Sequence, residues 1–372
     1  MSLNADVNRS EILDAYLGRV VEQRGSDLHL QTGAQPAVRV LGEICFLNEP
    51  VLQHQFMESL ITHILNDSLS ETLFSTGSVD FAYEVPNVAR FRANFLLQHY
   101  GYGAVMRVIP SRIPTLDELD LPDILEDIST YNKGLVIVTG PTGSGKSTTL
   151  AAMINTINHE RSVHIITIED PIEFAHPNVK SMIQQRQVGV HAKSFSQALR
   201  AALRESPDIV LVGEMRDLDT ISEALSAAET GHLVFGTLHT NSAAKTVDRI
   251  IDVFPADQQD SIRSMLSGTL KAVIAQQLVR TADGRGRVAV QEILTVNMGV
   301  AGLIREAKTS QIPSFITMGS KEGMQSMDQH LVKLVQDGKI AVEVAFERCH
   351  VPSTLKRAGL MPPPDYSRAD SL

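Results

Sequence analysis

The chain has no tryptophan, only two cysteines and no positive-charge excess. It also has no apolar run approaching the ~20 residues that a membrane-spanning helix needs. Each absence excludes something. Cys45 and Cys349 lie far apart and form no C-x-x-C pair, so neither a zinc site nor a disulfide framework is legible, and a reducing cytosol is expected. The formal net charge is −10. An acidic chain without tryptophan is a poor candidate for a nucleic-acid channel, which combines a basic groove with stacking aromatics. Residues 1–20 carry acids and no apolar core, unlike a signal peptide. Direct membrane insertion is therefore not expected, and any membrane association would run through a partner.

Of the 372 residues, 43% are hydrophobic and 20% charged, ordinary values for a globular protein. At ~150 residues per domain, two or three domains are expected. Ile12, Leu13, Tyr16, Leu17, Val20 and Val21 recur at helical spacing and predict a helix over 9–24. Short runs at 27–30, 37–41 and 44–47, punctuated by Gly33, Pro36 and Gly42, read as strands. Residues 51–73 read as helix. Residues 80–84 and 89–109 read as strands again, the second broken at Gly101 and Gly103. Residues 1–112 are thus expected to form an N-terminal α+β domain with an antiparallel sheet.

Pro110, Pro114 and Pro122 mark 113–132 as a linker with a helical turn or two, suited to act as a hinge. From Gly134 the texture changes. Apolar runs at 135–139, 164–168, 209–212 and 233–237 alternate with helical stretches, the signature of an α/β fold whose parallel sheet is covered on both faces. Beyond residue 255 the pattern is mostly helical, with further apolar runs around 287–293. Residues 133–355 are assigned to this second domain and 356–372 to a flexible tail.

Gly140-Pro141-Thr142-Gly143-Ser144-Gly145-Lys146-Ser147 matches the phosphate-binding pattern G-x-x-x-x-G-K-[ST] in full. Its glycines let the backbone wrap phosphates without Cβ clashes. The loop amides and the positive end of the following helix attract anions. Lys146 supplies a point charge to the β- and γ-phosphates, and the Ser147 hydroxyl is placed for Mg²⁺. A chance match in a glycine-rich turn is disfavoured by context: an apolar strand enters the loop, and a helix-forming run beginning at Thr148 leaves it. ATP and Mg²⁺ are the expected ligands.

In open α/β sheets, ligands collect at the carboxyl ends of the strands. Three apolar runs deliver acids or a histidine there: Glu169-Asp170-Pro171-Ile172-Glu173, Gly213-Glu214 and Leu238-His239-Thr240. Glu214 suits a general base that orients the attacking water, or a ligand to Mg²⁺ through water. Glu169 can share that task, Glu173 is a second candidate for ordering water, and His239 can sense the γ-phosphate. The plainer readings are that Asp170 caps a helix and that His232 and His239 are satisfied structural histidines. Arg90, Arg92 and Arg107 lie on the strands that end the N-terminal domain. Such long cations can neutralise a γ-phosphate in a neighbouring subunit, or simply snorkel into solvent.

Four segments together resemble the Walker A, Asp, Walker B and His boxes of the secretion-superfamily ATPases. They are 140–149, 166–174, 211–217 and 228–240. The set is similar above all to the type IV pilus retraction ATPases, the PilT family, as are Gly25–Leu30 and Arg263–Ser267. The resemblance covers about residues 8–355. It implies a PAS-like N-terminal domain joined to a RecA-like P-loop core, assembled as a homohexamer. It also implies that Glu214 is the catalytic glutamate, that Glu169 belongs to the Asp box, and that Arg92 and Arg107 reach a nucleotide. The implied work is pilus retraction, serving twitching motility and DNA uptake. The implied place is the cytoplasmic face of the inner membrane, on the platform protein at the pilus base.

Three departures stand out. The tetracysteine motif of assembly-type relatives is absent from a chain with two cysteines. The family's A-I-R-N-L-I-R-E reads Gly299-Val-Ala-Gly-Leu-Ile-Arg-Glu306, keeping only its second half, which leaves an accessory PilU-type paralogue open. The family's Q-R-E reads Gln185-Arg186-Gln187. A nucleic-acid-translocating ring and a slow nucleotide-dependent scaffold are the remaining alternatives.

Overall fold

The computed structural model describes residues 9–40, 42–109 and 112–363, so the expectations placed on residues 1–8, on Pro110 and on 364–372 lie outside the described residues. The chain divides into two compact units, residues 1–112 with 171–175, and residues 113–170 with 176–372.

The first unit runs α1 (Arg9–Glu22), β1 (Asp27–Gln31), β2 (Ala37–Val40), β3 (Glu43–Phe46), α2 (His54–Ile64), α3 (Asp67–Thr76), β4 (Ser78–Val85), β5 (Ala89–Gln98) and β6 (Gly101–Ile109). Its six strands pair antiparallel in the order β3-β2-β1-β6-β5-β4. The helical spacing read in α1 buries Leu13, Leu17 and Val20 against Leu28, Phe91, Phe95 and Met106. Burying a side chain of this kind contributes roughly 1.5–3 kcal/mol. The helix expected over 51–73 is two helices. The Asn66 side chain accepts a hydrogen bond from the Leu69 amide and caps α3 as a new start. Gly101, at φ +122°, opens β6 after a tight turn, whereas Gly103 sits within β6 and keeps the ladder by pairing with Leu96 and Gln31.

The second unit begins with α4 (Ile124–Ser129), β7 (Gly134–Thr139), α5 (Lys146–Glu160), β8 (His164–Glu169), β9 (Met182–Gln187), α6 (Phe195–Ala202) and β10 (Ile209–Val212). It continues through α7 (Leu218–Glu229), β11 (Leu233–Leu238), α8 (Ala243–Asp252), α9 (Gln259–Thr269), β12 (Leu270–Arg280) and β13 (Arg287–Thr295). It closes with α10 (Met298–Arg305), α11 (Ile312–Met318), α12 (Met327–Gln336), α13 (Val342–Arg348) and α14 (Pro352–Arg357). The seven-stranded sheet has the order β13-β12-β7-β11-β10-β8-β9, parallel except for β13. Every residue of β7 and β11 is buried, because successive side chains enter opposite cores. Leu135 and Ile137 pack with α6, α7, α8 and α9, while Val136 and Val138 pack with Met153 and Ile154 of α5.

Three further features differ from the sequence expectation. Residues 113–132 do not hang free between domains. Leu116, Leu121, Leu125 and Ile128 are buried in the same core as Val136 and Ile154, so this segment is built into the second unit. The run Leu270–Arg280, rich in helix-forming residues, is β12, held between β7 and β13 by ladders on both sides. Tertiary pairing overrides propensity there. The expected tail is in part ordered: α14 extends to Arg357, and Leu360 packs against the small core around Leu331 and Phe346.

Candidate functional site

The strand order sets β7 between β11 and β12, with β10 and β8 beyond β11. Their carboxyl ends therefore present the loop 140–147, His239, Glu214 and Glu169 along one edge. The loop turns from β7 into α5 with Gly145 in the left-handed conformation as the N-cap. Pro141, Thr142 and Gly143 are exposed on the loop, Ser144 is buried beneath it, and Ser147 is exposed on the first turn of α5 beside half-buried Thr148. The Lys146 ammonium donates to the carbonyls of Gly140 at 2.9 Å and Pro141 at 3.2 Å, spanning the loop mouth. A glycine loop at the start of a helix, with a cation across its mouth, is an arrangement suited to an anion.

Thr139, the last residue of β7, ties the loop to the end of β11. Its hydroxyl accepts from the Thr240 amide at 2.9 Å and lies 2.8 Å from the Thr240 hydroxyl. α8, which follows, is capped twice. Ser242 accepts from the Lys245 amide, and buried Glu292 accepts from the Ala243 amide at 2.7 Å. His239 is thus held between a strand and a fixed helix start.

Glu214 sits just past β10. Gly213 lets the chain lie against the end of β8, since a Cβ there would come 3.0 Å from the Ile168 carbonyl. The Met215 amide donates to the Thr237 carbonyl at 3.0 Å, locking the segment to β11. The Glu214 carboxylate receives His239 Nε2 at 2.8 Å and makes an ion pair with Arg216 through the same oxygen. Partial burial pushes the Glu214 carboxyl up, but the hydrogen bond and charge of Arg216, together with those of His239, outweigh it and hold the pKa below the ordinary value. Glu214 is therefore an ionised acceptor at neutral pH. Glu169 accepts from the Thr167 hydroxyl at 2.6 Å and from Gln185 Nε2 at 3.1 Å, while Gln185 Oε1 accepts from the His176 amide. Burial drives the His176 imidazole down to about 4, so it is neutral.

The departure at Gln187 has a physical basis. Gln187 is 5% exposed and stands in register with Glu169 in the β8–β9 pair. A glutamate there would add a like charge in register with the partly exposed Glu169, which the neutral amide avoids.

A cleft of about 700 Å³ opens beside the loop, with Leu119, Leu121 and Leu278 facing Arg280 and Arg287 around Thr148. Two of its apolar walls come from the segment read as a linker. Its lining joins these leucines to Arg285, Thr149 and Gln276 as well, a mixed apolar and polar surface beside the loop.

Other candidates fall elsewhere. His232 lies at the opposite end of β11 from His239, with Nδ1 3.0 Å from the Ala227 carbonyl, a structural role. No helix follows Asp170, so the capping reading does not apply to it; Asp217 caps α7 instead, accepting from the Thr220 amide at 2.8 Å. Glu173 is exposed and falls in the 171–175 segment grouped with the first unit.

Within the first unit, Arg92 and Arg107 face each other directly across β5 and β6. Like charges at such a position are destabilising unless offset. The offset is Asp27, whose buried carboxylate receives Arg107 Nε at 2.7 Å, and Asp80, 3.8 Å from Arg92. Burial raises the Asp27 pKa, but the hydrogen bonds from Ser26 and Arg107 and the Arg107 charge bring it below the usual value. Both guanidiniums stay about half exposed or more, at 48% and 69%.

Sequence reasoning missed Arg216, Thr167 and Gln185, which orient the two carboxylates. Thr139 and Thr167 did leave a signal, as hydroxyls at or near the ends of otherwise apolar strands.

A family profile described as "Type II/IV secretion system protein" matches residues 5–347. The chain is 51% identical over 331 residues to a protein of Pseudomonas aeruginosa named "Type IV pilus retractation ATPase PilT", covering 89% of this chain and 96% of that one. It is 54% identical over 313 residues, 84% of each chain, to a protein of Neisseria gonorrhoeae named "Twitching motility protein". To the "Type IV pilus ATPase PilU" of Pseudomonas aeruginosa it is 38% identical over 343 residues, 92% of this chain and 90% of that one. Among solved structures, "Crystal Structure of the Pilus Retraction Motor PilT and Bound ADP" superposes with a TM-score of 0.86 at 45% identity, covering 95% of this chain and 100% of the other.

Proposed function

This chain belongs to the type II/IV secretion system protein family, and from that premise we propose that it is an ATP-hydrolysing motor that drives pilus retraction. The observation that carries the reading is one edge of the parallel sheet. There the glycine loop with Lys146 ends one strand, while the ionised Glu214 and its partner His239 end the next two. The relatives named for retraction and twitching motility, and the retraction motor bound to ADP, supply the class of work. The lower identity to the PilU relative makes the accessory reading the weaker one.

In this reading residues 140–148 hold the ATP phosphates, with Lys146 on the β- and γ-oxygens. Glu214 accepts the proton of the attacking water, and His239, bonded to Glu214 Oε1, reports whether the γ-phosphate is present. Glu169, fixed by Thr167 and Gln185, backs the water side. Arg92 and Arg107 are the cations that neutralise developing charge, delivered by a neighbouring subunit of a homohexamer.

Among the described residues no group of three or more His, Cys, Asp or Glu side chains is arranged to hold a metal alone. The hydroxyl of Ser147 and the carboxylate of Glu214, the latter through water, are the hard oxygen donors that suit Mg²⁺ arriving with the phosphates. When bound, Mg²⁺ supplies charge neutralisation on the phosphate oxygens. No helix among the described residues is long and apolar enough to cross a membrane. By analogy with the relatives named for pilus retraction, we place the motor at the cytoplasmic face of the inner membrane, held there by the platform protein at the pilus base.

The test is steady-state ATP turnover with oligomeric mass, joined to pilus retraction in a piliated strain lacking its own retraction motor. Turnover by a hexamer that restores retraction, lost in Lys146→Ala, is the expected result. ATP binding without turnover until a second motor protein is added would replace this reading with the accessory one.

A further inference from the structure

Behind the phosphate loop lies a buried chain of neutral hydrogen bonds that the reaction described above does not use. Gln276 on β12 and Gln291 on β13 stand directly opposite each other in the ladder, 2% and 0% exposed. Gln276 Nε2 donates to the Ser144 carbonyl at 2.6 Å. Its Oε1 accepts from the Thr149 hydroxyl on α5 at 2.8 Å and from Gln291 Nε2 at 2.7 Å. The Gln291 backbone is fixed in turn: its main-chain N–H donates to His330 Nδ1 on α12 at 2.9 Å, and its main-chain carbonyl accepts from Gln325 Nε2 at 3.2 Å. α12 starts on a capping box between Ser326 and Gln329.

Two loop glycines are shaped to the same residue. A Cβ on Gly140, at φ +146°, would lie 2.2 Å from the Gln276 carbonyl oxygen, and one on Gly145, at φ +86°, would lie 2.9 Å from Gln276 Nε2. The loop is wrapped against both the backbone and the side chain of Gln276. This arrangement is not the cheapest way to fill a core. Gln291 Oε1 is buried without a hydrogen-bond partner, an unfavourable state that an apolar pair would avoid.

We propose that Gln276 is a positioning residue that holds the phosphate loop in its binding shape. In this arrangement the Gln291 side chain fixes the Gln276 side-chain amide so that its N–H faces the Ser144 carbonyl, and His330 anchors the Gln291 backbone that presents it. The donor logic requires this orientation: with Oε1 occupied by two donors, Nε2 is what remains for Ser144. The C-terminal helix α12 is thereby joined to the phosphate loop through the His330 ring, the backbone and side chain of Gln291, and the side chain of Gln276. The inference rests on the reading of the loop as an ATP site.

The decisive experiment is ATP affinity and melting temperature of Gln276→Met/Gln291→Met. This double substitution keeps volume and removes both amides together, so no partner glutamine is stranded. The expected result is a protein that still folds, with a melting temperature lowered by the lost partners of the Thr149 hydroxyl and the Ser144 carbonyl, and an ATP dissociation constant raised about tenfold, one hydrogen bond's worth of affinity. A folded double variant that binds ATP within twofold of wild type overturns the proposal. Should the double variant fail to fold, the His330 pair decides. His330→Leu removes the acceptor and weakens ATP binding about threefold, while His330→Asn restores an acceptor at the Nδ1 position and most of the affinity; equal affinities in the two overturn the proposal. Failure of wild type itself to bind ATP would instead overturn the ATP reading on which this one stands.

Discussion

The two sides of the phosphate loop are built from opposite materials. On the rim, Glu214, Arg216 and His239 are charged or chargeable, and Arg216 and His239 are largely open to water. Behind the loop, Thr149, Gln276, Gln291 and His330 are neutral and buried. The rim can change protonation and partners during a cycle, because exposed ion pairs exchange readily and are worth little. The buried chain cannot, because any broken bond there leaves an unsatisfied group in a low dielectric. On the proposed function, chemistry falls where groups can move and shape falls where they cannot.

That contrast can be broken from either side. The largest effect is expected on the rim. Glu214→Gln keeps size and most hydrogen bonds but removes the base, and should lower kcat by about 10²–10⁴ with ATP affinity nearly unchanged. Parallel turnover and equilibrium-binding assays would check this. Loss of binding along with turnover would mean that Glu214 shapes the site rather than acting in it.

Next is the loop itself. Gly140→Ala forces a Cβ into the Gln276 carbonyl at a backbone angle that L residues rarely adopt. The strain alone is roughly 1–3 kcal/mol, so a lowered melting temperature and loss of ATP binding are expected. Calorimetry with and without ATP would measure both.

pH sharpens the comparison further. Burial holds the His330 imidazole at about 4, below its ordinary value. A depressed histidine means that the unfolded chain binds more protons between pH 6.5 and 4. Stability is therefore full above about 6.5 and falls as pH drops through that window, by on the order of 1–3 kcal/mol for a fully buried group. His176 adds in the same direction. Denaturant midpoints at pH 7 and pH 5 test this, and His330→Asn should flatten the difference.

The smallest effect belongs to a surface pair. Arg200→Ala removes a contact to Glu223 on the neighbouring helix, yet it should shift stability by less than ~0.5 kcal/mol. A larger shift in urea unfolding would show that exposed charge matters more here than the account allows.

The rim was legible in sequence, and the buried chain was not, for related reasons. Gly140–Ser147, Glu214 and His239 each follow a continuous apolar run, so strand, turn and polar residue appear in reading order. Gln276 sits inside a run of helix-forming residues whose strand character comes from β7 and β13, partners far off in sequence. Nothing local distinguishes it from a surface glutamine. Arg92 and Arg107 were visible as cations on apolar strands, but their direct opposition and the buried Asp27 that tolerates it are properties of register. The segment 113–132 misled through its prolines, although Leu116, Leu121 and Leu125 carry the apolar content that docks it. The half-kept motif at 299–306 keeps its core residues: Leu303 and Ile304 are buried, while a Cβ at Gly299 would come 2.8 Å from the Phe315 ring.

The central claim is that Glu214 acts on water at a loop that binds ATP without it. The most direct test is a rapid-quench single turnover of ATP by wild type and Glu214→Gln at saturating protein, with bound ATP measured in the same samples. The account predicts equal ATP bound and a hydrolysis step slowed by at least about a hundredfold in the variant. Equal hydrolysis rates in the two proteins would contradict it.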